Sequence, residues 1–229
     1  MNNTGFDRYW ENAYSKGKML NKYPFDLVVS IVFRCFGNVS NREEIRILDL
    51  GCGAGNHSWF FSREGFSVVG IDASESAIKY LKERLESEGL SADLHVLEFH
   101  DIDKIKGEFD FILDRQSLSM TDFDTVNSTI KKIPAMLKPN GLFLSFFYNK
   151  AHPAFVKYGG TSINGTTFYD IPGIGFSGAK LVSLLDAKTH SELFSEFNIL
   201  ECYEHYINPI IENNKGSGIS EFVTLATKS

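Results

Sequence analysis

The sequence predicts an α/β fold, a three-layer sandwich with helices on both faces of a seven-stranded, mostly parallel sheet whose last strand is antiparallel. Three observations carry this. Short apolar runs alternate with amphipathic segments from Ile45 to Tyr148, the pattern of strand–helix–strand units. Gly51, Gly53 and Gly55 directly follow the first apolar run, as at a tight strand-to-helix turn. The two closing apolar runs, 197–208 and 220–228, have no room between them for a crossover helix, which parallel neighbours need, so they form an antiparallel hairpin.

The elements follow in order. Between Pro24 and Phe36, Phe25, Val28, Val29, Val32, Phe33 and Phe36 share one helical face. Pro24 suits the first turn, Asp26 the positive end of the helix dipole, and Gly37 supplies a stop. IRILDL (45–50) is a buried strand, and a helix starts near Asn56 and ends before Gly65. SVVGID (67–72) is the second strand, and Ala77, Ile78, Leu81 and Leu85 predict a helix over 75–87. LHVLEF (94–99) is the third strand and FDFILD (109–114) the fourth. Phe123, Val126, Ile130, Ile133 and Leu137 mark one helix kinked at Pro134, LKPNG is a turn, and 141–148 is the fifth strand. From Asn149 to about Ala179 the chain is glycine-rich and lacks periodicity, as binding loops and lids often do.

Composition narrows the function. A net charge of -6 over 229 residues offers no basic face for nucleic acid. Cys35, Cys52 and Cys202 lie far apart, so neither a structural zinc nor any other metal site is expected, and the compartment reads as reducing. The N-terminus lacks a basic start and apolar core, and FDLVVSIVFRCF is too short and too charged to span a bilayer. A cytoplasmic protein with no membrane association is expected.

The stretch ILDLGCGAGNHSWF (47–60) is a candidate ligand cradle. Missing side chains admit a ligand to the backbone, and the amides at the helix start point at it. Asp72 closes the second strand beside this loop, where a carboxylate can accept hydrogen bonds from a ribose diol; the other reading of this position is a helix cap, which Ser74 could also supply. A dinucleotide fingerprint wants a third glycine where Asn56 stands. Asp49, two positions before Gly51, would repel a pyrophosphate and suits a cation. The charge pattern favours S-adenosylmethionine over NAD or ATP.

With these residues in view, ILDLGCGAG and VVGIDASESAIKYLKER resemble the first two motifs of the class I S-adenosylmethionine-dependent methyltransferases. HDID (100–103), FDFILDRQSLSM (109–120) and LKPNGLFLSFF (137–147) continue the resemblance over roughly 45–148. It implies a Rossmann-like sheet and a single domain over 1–229. Within it, 1–40 would be an N-terminal helical cap, 45–148 the cofactor-binding core, 149–185 a substrate lid and 186–229 a terminal helix and hairpin.

The resemblance also implies roles. Asp49, Gly51, Cys52 and Gly53 would meet the methionine end of the cofactor, with Asn56 at the helix start. Asp72 would take the ribose hydroxyls, with Ala73 and Ser74 near the adenine. Asp101 and the Ile102 amide would read the adenine, and Asp114 would lie beside the sulfonium. Trp10, Tyr14 and Tyr23 belong to an aromatic segment that either closes over the cofactor or packs the first helix onto the sheet. Arg115 either holds an anionic group of the acceptor or pairs with a loop acid. Tyr148 and His152, with Tyr158 and His190, are polar groups that could touch the acceptor, and no residue stands out as a base. The expected activity is methyl transfer to an O- or N-nucleophile on a small molecule. A non-catalytic binder of the same cofactor, or same-fold chemistry such as aminopropyl transfer, stays open, and the oligomeric state is undetermined.

Overall fold

The computed structural model describes residues 6–172, 176, 178–208 and 218–229. Its main sheet contains β1 (Arg46–Leu50), β2 (Ser67–Asp72), β3 (Asp93–Val96), β4 (Phe109–Arg115), β5 (Leu137–Tyr148), β9 (Phe197–Ile207) and β10 (Ile219–Lys228). The spatial order is β3-β2-β1-β4-β5-β10-β9. All pairs from β3 to β5 are parallel, and β10 runs antiparallel to both of its neighbours. The closing hairpin is present as expected; its connection, 209–217, lies outside the described residues.

Each strand has two apolar faces because helices cover both sides of the sheet. Ile47, Phe111, Leu144 and Val223 face α2 (Asp26–Phe36), α3 (Asn56–Arg63) and α4 (Glu75–Ser87). Leu48, Ile112, Phe143 and Phe222 face α5 (Phe123–Ile130), α6 (Ile133–Met136) and α8 (Ala187–Leu193). The alternation Ile47/Leu48 and Phe143/Leu144 is thus a strand period with both phases buried.

Four expectations change. The third strand ends at Val96, and Phe99 begins a 3-10 turn through Lys104. The kinked helix is two helices, with Pro134 in the first turn of α6, where its missing N–H costs nothing. The LKPNG turn lies inside β5: Leu137 already pairs with Phe109, and a register shift with Asn140 at φ +64° absorbs the bend. The segment after Asn149 is not irregular. It holds α7 (Pro153–Tyr158) and a small antiparallel sheet of β6 (Thr161–Ser162), β7 (Thr167–Tyr169) and β8 (Leu181–Ser183). Strands of two and three residues are too short to show a period. Ahead of the core, α1 (Arg8–Ser15) is capped by Asp7, which accepts a hydrogen bond from the Tyr9 amide at 2.9 Å.

Gly55 precedes α3 at φ +81°, and a Cβ there would lie 2.0 Å from Leu81 Cδ1. Gly89, at φ +67°, has open space around it. Gly89→Ala should therefore cost about 1 kcal/mol of backbone strain, and Gly55→Ala roughly 1–3 kcal/mol more, from overpacking. Urea denaturation measures both; equal losses would show that crowding against α4 is not what fixes the glycine.

Candidate functional site

A cavity of about 620 Å³ opens at the carboxyl ends of β1, β2 and β4, the usual ligand position in a doubly wound sheet. Its floor is the glycine loop. Gly51, Gly53 and Gly55 all have positive φ. The space above the first two is taken by the protein's own groups. A Cβ on Gly51 would lie 2.3 Å from Ser117 Cβ, and one on Gly53 would lie 2.4 Å from Tyr14 Oη. The glycines let the loop after β4 and helix α1 close down on the cradle.

Four carboxylates, Asp7, Asp49, Asp72 and Glu98, stand on an otherwise largely apolar and aromatic wall. Asp72 accepts from the Gly53 amide at 2.9 Å through Oδ2 and from the Ser74 amide at 2.8 Å through Oδ1. This ties the tip of β2 to the glycine loop and leaves lone pairs for a ligand. Burial pushes its pKa up to about 6, with the two amides pulling it back. Asp49 accepts from Ser58 Oγ at 2.6 Å. Burial pushes it up to about 7, against that hydrogen bond. Glu98 also lines the cavity, and its buried Oε2 lies 3.4 Å from His100 Nδ1. His57 is held neutral: burial, then the charge of Arg115, lowers its pKa to about 3, and its Nε2 accepts from the Phe25 amide at 3.4 Å.

Helix α1 is latched onto this floor. Glu11 accepts from Ser74 Oγ at 2.6 Å and Ser76 Oγ at 2.5 Å, contacts that lower its pKa. Trp10 and Tyr14 thereby line the cavity. Burial, followed by the charge of Asp72, drives the Tyr14 phenol pKa upward and keeps it protonated.

The far end is built by β4, β5 and β10. Glu221 is fully buried and sits across from Tyr148 on one side and His205 on the other. It meets Arg115 Nη1 at 3.2 Å and His205 Nδ1 at 2.9 Å, and it accepts a short hydrogen bond from Gln116 Nε2. Tyr148 Oη donates to Gln116 Oε1 at 2.9 Å. Gln116 is held at φ +66°, a conformation that strains a residue bearing a Cβ.

Trp10, Tyr14, Asp49, Gly51, Cys52, Gly53, Asn56, Asp72, Ala73, Arg115 and Tyr148 come together around this cavity, as the sequence suggested. Six candidates do not line it. Ser74 is buried as the cap of α4, accepting from the Ala77 amide, and as the latch for Glu11. Asp101 pairs with Lys104 at the surface, at 2.6 Å, and Ile102 lies in the core. Because β3 stops at Val96, the loop reaches the cavity earlier, through Leu97, Glu98, Phe99 and His100. Asp114 is fully buried behind the wall, accepting from the Leu118 amide and Ser145 Oγ with Ser117 Oγ 2.7 Å away. Tyr23 is 66% exposed and packs edge-on against Trp59. His152 caps α7 through Nδ1, with its ring between Tyr148 and Phe176. Of the further acceptor candidates, His190 is bonded to Thr224 and Tyr158 faces solvent.

Sequence reasoning missed Glu11, Glu98 and Glu221. Glu11 meets Ser74 63 positions away, and Glu221 meets Gln116 and Arg115 105 and 106 positions away, and nothing local marks either acid. The position of Glu98 was legible only through the true end of β3. Together, the acids make the cavity suited to a cationic ligand with hydroxyl and amino groups and hostile to a polyphosphate.

Residues 47–141 match a family model described as a methyltransferase domain. A ubiquinone biosynthesis O-methyltransferase of Bradyrhizobium diazoefficiens is 34% identical over 112 residues, covering 48% of this chain and 43% of that protein. A protein of the same name from Maricaulis maris is 30% identical over 152 residues, covering 64% and 59%. The chain spans about half the length of the curated relatives it matches. A solved methyltransferase from Methanosarcina mazei superposes with a TM-score of 0.67 at 19% identity, covering 90% of this chain and 98% of that one. The 1,6-didemethyltoxoflavin-N1-methyltransferase of Burkholderia thailandensis, solved with 1,6-didemethyltoxoflavin and S-adenosylhomocysteine bound, gives 0.65 at 17% identity over 95% and 84%. At these identities, the structural likeness is one of fold. Among the described residues, no helix is long and apolar enough to cross a membrane and no group of side chains is arranged to hold a metal.

The raised pKa of Asp49 gives a test. Its folded value of about 7 exceeds the ordinary 3.8, so the native state binds the extra proton and this residue's contribution to stability falls as pH rises from about 4 to 7. Asp49→Asn should therefore gain stability relative to the native chain between pH 5 and pH 8, by on the order of 1–2 kcal/mol in urea denaturation. A pH-independent difference would mean that Asp49 titrates normally.

Proposed function

We propose that the chain, similar over residues 47–141 to a methyltransferase domain, is a class I S-adenosylmethionine-dependent methyltransferase that moves a methyl group from S-adenosylmethionine to a small-molecule acceptor. The observation that carries this reading is the acid-walled cradle: the glycine loop at the tip of β1, tied to Asp72, with Asp49 and Glu98 on the same cavity. Its charge fits a ligand that bears a sulfonium and an ammonium and has no phosphate. When bound, that cofactor supplies an electrophilic methyl group on sulfur.

The protein's part is to bind, orient and exclude water. Asp49 and the backbone of Gly51–Gly53 would hold the amino-acid end. Asp72, positioned by two amides, would accept from the ribose hydroxyls. Glu98, rather than Asp101, would accept from the base amino group, since it lines the cavity and Asp101 does not. Trp10 and Tyr14 on α1 would cover the cofactor, and an aromatic face gains attraction from a nearby cation. The acceptor would enter beside Arg115, Gln116 and Tyr148, beneath residues 149–185 acting as a substrate-side cover.

Asp72→Ala should weaken S-adenosylhomocysteine binding by roughly 10- to 150-fold, equivalent to the ~1.5–3 kcal/mol of a hydrogen bond to a charged group. Asp101→Ala should leave it within about twofold. Calorimetric titration of both variants decides. Unchanged affinity in folded Asp72→Ala removes the ribose assignment, and a large loss in Asp101→Ala returns the base to that residue.

A further inference from the structure

We infer that Glu221 sets the acceptor specificity of this site, cancelling the charge of Arg115 so that the far end of the cavity takes an uncharged planar acceptor and rejects an anionic one. This rests on the methyltransferase reading and adds the class of acceptor. Arg115 carries the one guanidinium or ammonium among the described residues lining the cavity. An arginine that recognises an anion presents two parallel N–H groups on one edge. Here Nη1 already faces Glu221 at 3.2 Å. The rings of Phe25 and Phe146 cover the guanidinium at 4.3 and 4.6 Å. One nitrogen of the fork is thus taken, the guanidinium is flanked by aromatic rings, and its charge is matched by Glu221.

The remaining wall agrees. Phe25, Met120, Trp10 and Tyr148 supply flat, polarizable surface, suited to a ring. The neutral polar group presented there is the Gln116 amide, fixed from behind by Glu221 and from the side by Tyr148. Asp7, Asp49, Asp72 and Glu98 on the same cavity add repulsion against an anion. Glu221 is itself shut from solvent, and its side chain reaches the cavity through Arg115 and Gln116. It is therefore a positioning residue, and its effect is on selection.

The test uses benzamide and benzoate, which share shape and differ in charge, titrated by ligand-observed NMR into full-length protein saturated with S-adenosylhomocysteine at pH 7.5. The native chain should prefer benzamide by about tenfold or more. Glu221→Gln should shift the ratio toward benzoate by about tenfold or more, since it leaves Arg115 uncompensated. Adding Arg115→Gln to that variant should abolish the shift. Affinity for S-adenosylhomocysteine should stay within about twofold throughout, which separates this inference from the cofactor reading. Equal binding of the two probes by the native chain, binding of neither, or an unchanged ratio in Glu221→Gln would overturn the inference. Failure of the nucleoside itself to bind would instead overturn the methyltransferase reading.

Discussion

Negative charge buried at the carboxyl ends of neighbouring parallel strands is the constraint on which the rest of this structure depends. Asp72 ends β2, Asp49 and Asp114 stand one residue before the ends of β1 and β4, and burial raises all three pKa values. Each is stabilised by a different set of donors: Ser58 for Asp49, the Gly53 and Ser74 amides for Asp72, and the loop 117–118 with Ser145 for Asp114. Those donors fix the three loops that form the cavity. The charge thus shapes the site and selects its ligand, since an added cation relieves what the fold leaves unbalanced.

Closure of the site depends on small residues meeting large ones across the fold. Ser117 fills the space over Gly51, Tyr14 that over Gly53 and Leu81 that beside Gly55. Glu11 holds α1 on the hydroxyls at the start of α4, and Asp7 reaches the amide of Lys180 beyond β7. The N-terminal segment and the small antiparallel sheet therefore share one packing cluster, in which Tyr9 and Trp10 join Tyr148, Phe168 and Phe176. The α1 wall of the cavity and the small sheet are thus mechanically connected.

Local sequence signals revealed the core and failed where partners are distant. The span of β2 and that of α4 were readable to the residue, because period, cap and glycine punctuation agree there. The third strand was read too long because Leu97 and Phe99 continue its apolar run while serving the cavity wall and a 3-10 turn. Ser74, the cap of α4, and Asp114, one residue before the end of β4, stand where ligand contacts are expected, yet their side chains satisfy backbone and hydroxyl groups of the fold. His152 and Tyr23 are polar or aromatic residues near the site in sequence, and packing turns both elsewhere. Glu221 is the sharpest case. It is a carboxylate near the start of an apolar strand, and its meaning depends on β9 pairing beside it and on Arg115 reaching it from β4 across β5.

An acidic cradle next to an arginine neutralised within the protein separates this cavity from a phosphate-binding one of similar outline. The direct measurement is a calorimetric titration of the full-length protein with S-adenosylmethionine and, separately, with NAD. The account predicts saturable one-site binding of the sulfonium nucleoside and no heat from the dinucleotide. No binding of the former, or its displacement by the latter, would contradict it.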